Sequence, residues 1–172
     1  MGRPAHHLSD DFRNAMRRLA TTVSLITAGE AENWTGMAAT AVMSVCADPP
    51  TLLIAVNRSA SIHSILRVGG NFCVNLLSER HQDLIAIFSG GRKGADRFKD
   101  GAWTTGARGL PLLSDALASF QCRVETIVEA GTHTLFLGIV EQVNQHSVFD
   151  PLLWADGAPA ALRPLQATEI KE

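Results

Sequence analysis

Tyrosine is absent from the 172-residue chain, and only three cysteines are present, Cys46, Cys73 and Cys122. The missing tyrosine removes one common catalytic acid and one ring on which ligands stack. Three widely spaced cysteines do not make a disulfide framework, so each is predicted to be a buried, reduced thiol that packs as a small hydrophobe. No Cys-x-x-Cys or His-x-x-x-His pair occurs, and a catalytic zinc site is therefore not expected.

Long apolar runs and a charge excess are missing as well. No apolar stretch is long enough to cross a bilayer, and the first residues lack a signal peptide's hydrophobic region, which predicts a cytoplasmic protein without a membrane partner. The 15 basic and 17 acidic residues leave a formal net charge of −2. A general nucleic-acid binder is not expected, because neutralising phosphates requires a basic surplus.

Sequence motifs of several enzyme classes are also lacking. There is no Gly-x-Gly-x-x-Gly and no Gly-x-Ser-x-Gly, which disfavours a Rossmann crevice and a hydrolase nucleophile elbow. The glycine-rich segment 89–94 contains Gly-Gly-Arg-Lys but not the spacing of a P-loop. The 46% hydrophobic and 19% charged content is that of a globular protein, so the chain is predicted to be one domain, 1–172, with a flexible N-terminus at 1–8.

The pattern of apolar residues predicts many short strands and few helices. A helix is expected to begin at Ser9-Asp10-Asp11, and Pro49-Pro50 is expected to bend the chain between two strands. A further helix is predicted with Ser61 as its N-cap, and 120–129 alternates as a strand with one wet face. Six or seven strands and two or three helices without regular alternation predict a mainly β fold, an antiparallel β-barrel with peripheral helices.

Two places carry candidate chemistry. The segment Asn57-Arg58-Ser59-Ala60-Ser61 joins a strand to a helix N-terminus, where N–H donors and the positive dipole end favour an anion, although serines there also serve simply as caps. His133 lies where a turn enters a strand. It either faces a cleft or is a turn histidine satisfied by the backbone.

At these residues the chain resembles a known family. The segment 35–61, with its Asp-Pro-Pro, the pairs Phe88-Ser89 and Arg97-Phe98, and Gly131-Thr132-His133-Thr134 are together similar to the short-chain flavin reductases. These proteins share an FMN-binding split barrel and serve as the reductase partners of two-component flavin monooxygenases. The resemblance extends from about Phe12 to about Leu165. It implies an antiparallel Greek-key split β-barrel that forms a homodimer, with flavin in a groove near the subunit interface.

The resemblance also implies roles for individual residues. The flavin ring would be lined by Ala39, Thr40, Ala41 and Val42, with Ser44 and Cys46 near the ribityl chain or the ring edge. The phosphate would be held by Asn57, Ser59 and Ser61, with added charge from Arg58. The flanking loop would contain Phe88, Ser89, Arg97 and Phe98. His133 would position the nicotinamide, and Thr132 replaces the aspartate that this family often has before that histidine.

The implied activity is hydride transfer from NADH or NADPH to FMN or FAD, supplying reduced flavin to a partner monooxygenase. A ring slot with small side chains and hydroxyl donors agrees with that chemistry. Two alternatives stay open. One is a flavoprotein that keeps its flavin and reduces another acceptor, such as a cobalt corrinoid, and the other is a non-catalytic flavin-binding protein.

Overall fold

The computed structural model describes residues 5–30 and 33–165. Within those residues the chain forms three α-helices and twelve strands. The helices are α1 (Ala5–Met16), α2 (Ser61–Gly69) and α3 (Gln82–Ala86). The strands are β1 (Thr21–Thr22), β2 (Ser24–Ala28), β3 (Thr35–Ala39), β4 (Val42–Ala47), β5 (Pro50–Asn57), β6 (Asn71–Leu76), β7 (Trp103–Thr105), β8 (Pro111–Leu113), β9 (Ala118–Ala130), β10 (His133–Gln145), β11 (Leu152–Ala155) and β12 (Ala158–Ala161).

Most of the strands lie in one seven-stranded antiparallel sheet. Its order is β3-β2-β6-β9-β10-β5-β4, so that β3 and β4 are the two edges although only residues 40 and 41 separate them in the chain. Smaller sheets combine β1, β11 and β12, and β7 with β8. The predicted mainly β, antiparallel class is confirmed. The predicted strand number is too low, because strands of two to four residues such as β1, β7 and β12 are too short to show a period.

One core lies between the large sheet and α2. Ile62 and Leu66 of α2 are fully buried against strand residues that include Ile54, Phe72 and Phe136. Gly70 caps the C-terminus of α2, and its φ of 65° is the left-handed conformation that glycine adopts without strain. Burial of this apolar stripe holds α2 across the sheet and fixes the position of its N-terminus.

A second core is rich in aromatic rings. Phe88 packs against Phe98 and Trp103 at centroid distances of 5.3 and 5.5 Å, and Phe98 contacts Trp34 at 5.3 Å. Edge-on and tilted ring pairs of this kind add stabilisation beyond their buried area. The cluster holds the segment from Phe88 to Trp103 together, and this segment packs against β3.

Asn75 connects the strands between the two cores. Its side chain is fully buried, and its Nδ2 donates to Leu25 O and to Thr27 Oγ1, while its Oδ1 accepts from the Leu113 amide and from Ser119 Oγ. Every one of these bonds crosses from β6 to another strand. A satisfied buried amide therefore specifies how β2, β6, β8 and β9 are arranged.

Two local predictions are wrong, the start of α1 and the simple alternation of β9. Helix α1 begins at Ala5 rather than Ser9, because Ala5 to Leu8 continue the helix. Of the predicted flexible segment 1–8, residues 1–4 lie outside the described residues and 5–8 are helical. On β9, Gln121 is buried and Val128 is 45% exposed, because register shifts opposite β10 interrupt the simple alternation.

The cysteines divide into two groups. All three are free thiols; Cys73 and Cys122 are buried as predicted, whereas Cys46 is exposed on the edge strand β4. Burial raises the pKa of the Cys73 thiol and raises that of Cys122 to about 12. The two buried sulfurs are therefore neutral packing groups. Among the described residues, no helix is long and apolar enough to span a membrane.

Candidate functional site

A cleft of about 680 Å³ opens between β3, the N-terminus of α2 and the segment from Phe88 to Arg97. Its walls are Gly36, Met37, Ala38, Ser59, Ala60, Ser61, Phe88, Ser89, Gly90, Lys93, Gly94 and Arg97. Among the described residues, two cations and no carboxylate line this cleft. An anionic or phosphate-bearing ligand is the class that such a surface attracts.

The β3 wall consists of Gly36, Met37 and Ala38, and two of these three residues have little or no side chain. A Cβ on Gly36 would lie 2.9 Å from Phe88 Cε1 and 2.9 Å from the Ile26 carbonyl oxygen. Only glycine therefore lets the Phe88 ring lie directly on β3. The position of Phe88 determines in turn where the next residue, Ser89, borders the cleft.

The N-terminus of α2 forms the polar end. The N-cap is Ala60, which makes no side-chain cap, so the prediction of Ser61 as N-cap is wrong. Ser61 is the first helical residue, and its hydroxyl instead receives a long contact of 3.4 Å from Arg97 Nη1. Ala60 and Ser61 at this helix end line the cleft, and no side chain caps the end from Ala60. The positive end of the helix dipole favours an anion there.

Arg97 is the most unusual residue of the cleft. It is only 8% exposed, and its Nη1 makes two long contacts, 3.5 Å to Thr35 Oγ1 and 3.4 Å to Ser61 Oγ. Its Nε has no hydrogen-bond partner within the described part of the chain. Burial lowers the pKa of the guanidinium, but an arginine remains cationic at neutral pH. A buried cation with unused donors is suited to a phosphate.

A smaller cleft of about 220 Å³ adjoins the first. It shares Ala38 and Ser89 with it and adds Ala39, Thr40 and Trp154, among others. The two clefts together form an elongated groove with a cationic end at Arg97 and an apolar end beside β3. An elongated ligand with one charged end fits this division.

The structure brings together seven of the predicted site residues: Ala39, Thr40, Ser59, Ser61, Phe88, Ser89 and Arg97. The others lie outside both clefts within a single chain. Val42 packs against the core, while Ala41, Ser44 and Cys46 are exposed along β4 or just before it. Phe98 belongs to the aromatic cluster. The Asn57 side chain accepts hydrogen bonds from the amide and hydroxyl of Ser59 and so shapes the loop.

Arg58 and His133 lie outside both clefts, where the turn 131–134 contacts the end of β5 and the loop after it. The Arg58 side chain donates to the Gly131 carbonyl and lies 3.7 Å from Glu129, while its amide donates to Thr132 O. His133 is exposed, stands opposite Asn57 in the β10–β5 pairing, and has its Nδ1 2.9 Å from Thr132 Oγ1. The hydroxyl of Thr132 therefore contacts the imidazole next to it.

Some cleft residues were not predicted from the sequence. Gly36 and Lys93 are the clearest, since one makes the close approach of Phe88 and the other supplies the second cation. The glycines near Lys93 in the sequence could have indicated that the chain turns there and exposes the lysine to a ligand. The segment lacks P-loop spacing, yet Gly90 and Gly94, both with positive φ, turn the chain so that Lys93 borders the cleft.

Fold and cleft together define an antiparallel β protein with a groove that is cationic at one end and suited to a ligand with an anionic group. Residues 16–163 match the model of the flavin reductase like domain, and the chain belongs to this family. The resemblance seen in the sequence is thus confirmed.

Named relatives and solved structures agree with this assignment. The FMN reductase (NADH) RutF of Enterobacter sp. strain 638 is 40% identical over 89% of this chain and 94% of its own length. The styrene monooxygenase flavin reductase SMOB of Pseudomonas putida S12 is 33% identical, with a TM-score of 0.81 over 91% of this chain and 99% of that one. The NADH:FAD oxidoreductase SgcE6 of Streptomyces globisporus C-1027, solved with NAD and FAD fragments, is 25% identical, with a TM-score of 0.85 over 95% and 98%.

Proposed function

We propose that this protein is an NADH-dependent flavin reductase that reduces FMN. The observation that carries the proposal is Arg97, a buried cation with an unpartnered Nε beside a helix N-terminus in a cleft without carboxylates. Relatives that cover nearly the whole chain carry the name FMN reductase (NADH), which supports the same choice of flavin and nicotinamide.

The residues present fit a flavin mononucleotide. Ser59, Ser61 and Arg97 would hold the phosphate, and Lys93 would add a second positive charge. Ala39 and Thr40 would form the wall beside the ring. When bound, the flavin supplies a ring that accepts a hydride from a reduced nicotinamide. The chain's share is to hold the two rings in contact and to keep water out, with His133 positioning the nicotinamide.

The remaining predicted residues lie outside both clefts, and the proposal gives them less direct roles. Val42, Ser44 and Cys46 follow the β3 wall directly in the chain, and a groove that continues along β4 would place them beside the ring edge. Phe98 would act through the aromatic cluster that supports Arg97. Asn57 and Arg58 would shape the loop that carries Ser59, rather than contact phosphate themselves.

We propose further that the large sheet closes into a Greek-key split barrel. Its two edge strands, β3 and β4, are joined by two residues, which at about 3.8 Å per residue limits their adjoining ends to about 11 Å apart. A flat sheet of seven strands would hold its edges more than twice as far apart, because neighbouring strands lie about 4.8 Å apart. The seven-stranded sheet must therefore curl strongly, which brings its two edge strands toward each other.

A homodimer and a partner monooxygenase complete the proposal. The edge strand β4 exposes Met43 and Val45, an apolar surface with unpaired backbone that a second copy of the chain would cover. The solved relatives include flavin reductases of a styrene monooxygenase and of a two-component tryptophan halogenase. Reduced flavin leaving this protein would therefore be consumed by an enzyme that activates oxygen with it.

Two measurements test the function. Quenching of flavin fluorescence during titration with the purified protein reports binding, and loss of absorbance at the nicotinamide band on adding NADH and FMN reports turnover. FAD and NADPH are assayed in parallel. Binding without NADH consumption supports the non-catalytic alternative, and absence of both rejects the proposal.

The alternative in which the flavin stays bound is separated by gel filtration. A released product predicts that added FMN is reduced over many turnovers and that the protein elutes without stoichiometric flavin. Retention of one flavin per chain, with no turnover of free FMN, would favour a flavoprotein that passes electrons to another acceptor.

A further inference from the structure

A buried histidine lies one turn into the helix that borders the cleft. His63 is 6% exposed on α2, two residues after Ser61, and its ring meets Phe136 edge-on at a centroid distance of 5.7 Å. The proposed function gives it no role. An imidazole buried at this depth requires hydrogen-bond partners, so each of its partners indicates what it holds in place.

One hydrogen-bond partner of His63 is Thr134, the residue that follows His133. His63 Nε2 lies 2.8 Å from Thr134 Oγ1, and Thr134 is fully buried. The Thr134 hydroxyl donates a hydrogen bond to Glu129 Oε2 at 3.2 Å. A hydroxyl has one proton to give, so toward His63 it accepts, and the imidazole carries its proton on Nε2.

A second set of contacts joins the same two segments from outside. The amide of Arg58 donates to Thr132 O at 3.0 Å, and its guanidinium donates to the Gly131 carbonyl. The turn 131–134 is thereby held to the segment 58–63 by the exposed hydrogen bonds of Arg58 and by the buried hydrogen bond between His63 and Thr134. The first segment carries His133, and the second carries the serines of the cleft.

We propose that His63 is a positioning residue: its Nε2–H bond to Thr134 holds His133 in a fixed place relative to the cleft. The inference rests on the proposed function, in which His133 orients the nicotinamide. Breaking the bond lets the turn shift without emptying the cleft, and a small misplacement of reacting groups has a large effect on rate. Use of NADH should therefore suffer while FMN affinity is retained.

The decisive comparison is His63→Gln with His63→Leu. Glutamine can present an amide N–H near the position of Nε2, whereas leucine fills the volume without a donor. We expect His63→Leu to raise the KM for NADH about tenfold or lower kcat by as much, with the FMN Kd changed less than about twofold. His63→Gln should recover most of the loss. Melting temperatures of both variants are measured beside the kinetics.

The same bond can be removed from its other end. Thr134→Val deletes the hydroxyl at constant shape, and Thr134→Ser keeps it, so the valine variant should repeat the His63→Leu defect and the serine variant should not. The double variant His63→Leu/Thr134→Val should be no worse than the poorer single one, because both remove one interaction. If His63→Leu does not fold, this second pair decides alone.

The tautomer gives a readout independent of turnover. Nitrogen-detected NMR of labelled wild-type protein should show His63 protonated at Nε2, and protonation at Nδ1 alone would overturn the proposal. So would parallel losses of FMN affinity and NADH use, or a His63→Gln variant as defective as His63→Leu. Wild-type turnover tests the proposed function separately: an inactive wild type rejects both ideas, and an active one with indifferent variants rejects only this one.

Discussion

Arg97 shows how one side chain can indicate a ligand. Burying a guanidinium without a carboxylate partner is costly, and its Nε donor is left unused within the described residues. A bound phosphate would satisfy these donors with charge-assisted bonds. Under the proposed function, this cation serves binding rather than folding.

Replacing Arg97 should therefore affect ligand affinity more than stability. Arg97→Met keeps an unbranched apolar stem and removes the guanidinium with its charge. We expect the FMN Kd to rise about ten- to a hundredfold, corresponding to about 1.5–3 kcal/mol for hydrogen bonds to a charged group. Riboflavin lacks the phosphate and is the control, since its Kd should stay within about twofold. Equal weakening of both ligands would show that Arg97 does not bind the phosphate.

His133 is expected to show the opposite division of effects. His133→Ala should raise the KM for NADH about tenfold while the FMN Kd stays nearly constant, because the imidazole stands outside the cleft and would contact only the nicotinamide. Steady-state kinetics and flavin titration measure the two quantities.

His146 supplies the matched control for that variant. It lies just beyond the opposite end of β10, where its Nε2 is 2.8 Å from Ser114 O. His146→Ala should leave both constants unchanged. Equal loss of NADH use and FMN affinity in His133→Ala would contradict the role given to His133.

Among the elements, β3 and the Phe88 segment depend on each other through Gly36. Residues 36 and 88 are far apart in the chain, yet a Cβ at 36 would meet the Phe88 ring and the backbone of β2. The wall of the cleft thus depends on the close approach of β3 and the Phe88 segment, which a local sequence pattern does not predict.

Gly36→Ala should damage stability and site together. The added methyl must displace Phe88 or separate β2 from β3, at about 1–3 kcal/mol for overpacking. We expect a lower urea midpoint and a several-fold higher FMN Kd for the folded fraction.

Gly138→Ala separates the two effects. A Cβ there would lie 2.6 Å from the Phe72 ring and 2.9 Å from Cys122 Cβ, and neither residue lines the cleft. This variant should lose a comparable amount of stability but keep the FMN affinity of the wild type. If Gly36→Ala also keeps it, the close packing of Phe88 on β3 does not shape the site.

At the scale of the whole molecule, the sequence predicted individual strands and helices well, but it predicted poorly where distant segments come into contact. A strand was expected on each side of Pro49-Pro50, and β4 and β5 run Val42–Ala47 and Pro50–Asn57, because an apolar run and its boundary residues are local signals. Seven predicted site residues do line the groove. Ser59 and Ser61 were also indicated by their place at a helix N-terminus, whereas the other five were assigned through the family resemblance. Lys93 and Gly36 were missed because their roles arise only when distant segments meet.

The exposed edge of the sheet leads to the last prediction. β4 ends the seven-stranded sheet, and Met43 and Val45 on it are 58% and 46% exposed. Edge strands of monomeric proteins usually carry charges or proline that prevent pairing with other chains, and β4 carries neither between Val42 and Ala47. A second copy of the chain is the proposed cover.

Val45→Lys should convert the dimer to a monomer. In a symmetric pair the charge enters the interface twice, and an uncompensated buried charge costs about 3 kcal/mol or more, which is over a hundredfold in the dimer dissociation constant. Sedimentation equilibrium at micromolar concentration measures the change. Val148→Lys, at a residue 55% exposed but outside any strand, is the control and should leave the mass unchanged. A wild-type protein that sediments as a monomer would remove the dimer from the proposal, whereas loss of FMN affinity together with the dimer would place the groove beside the β4 interface.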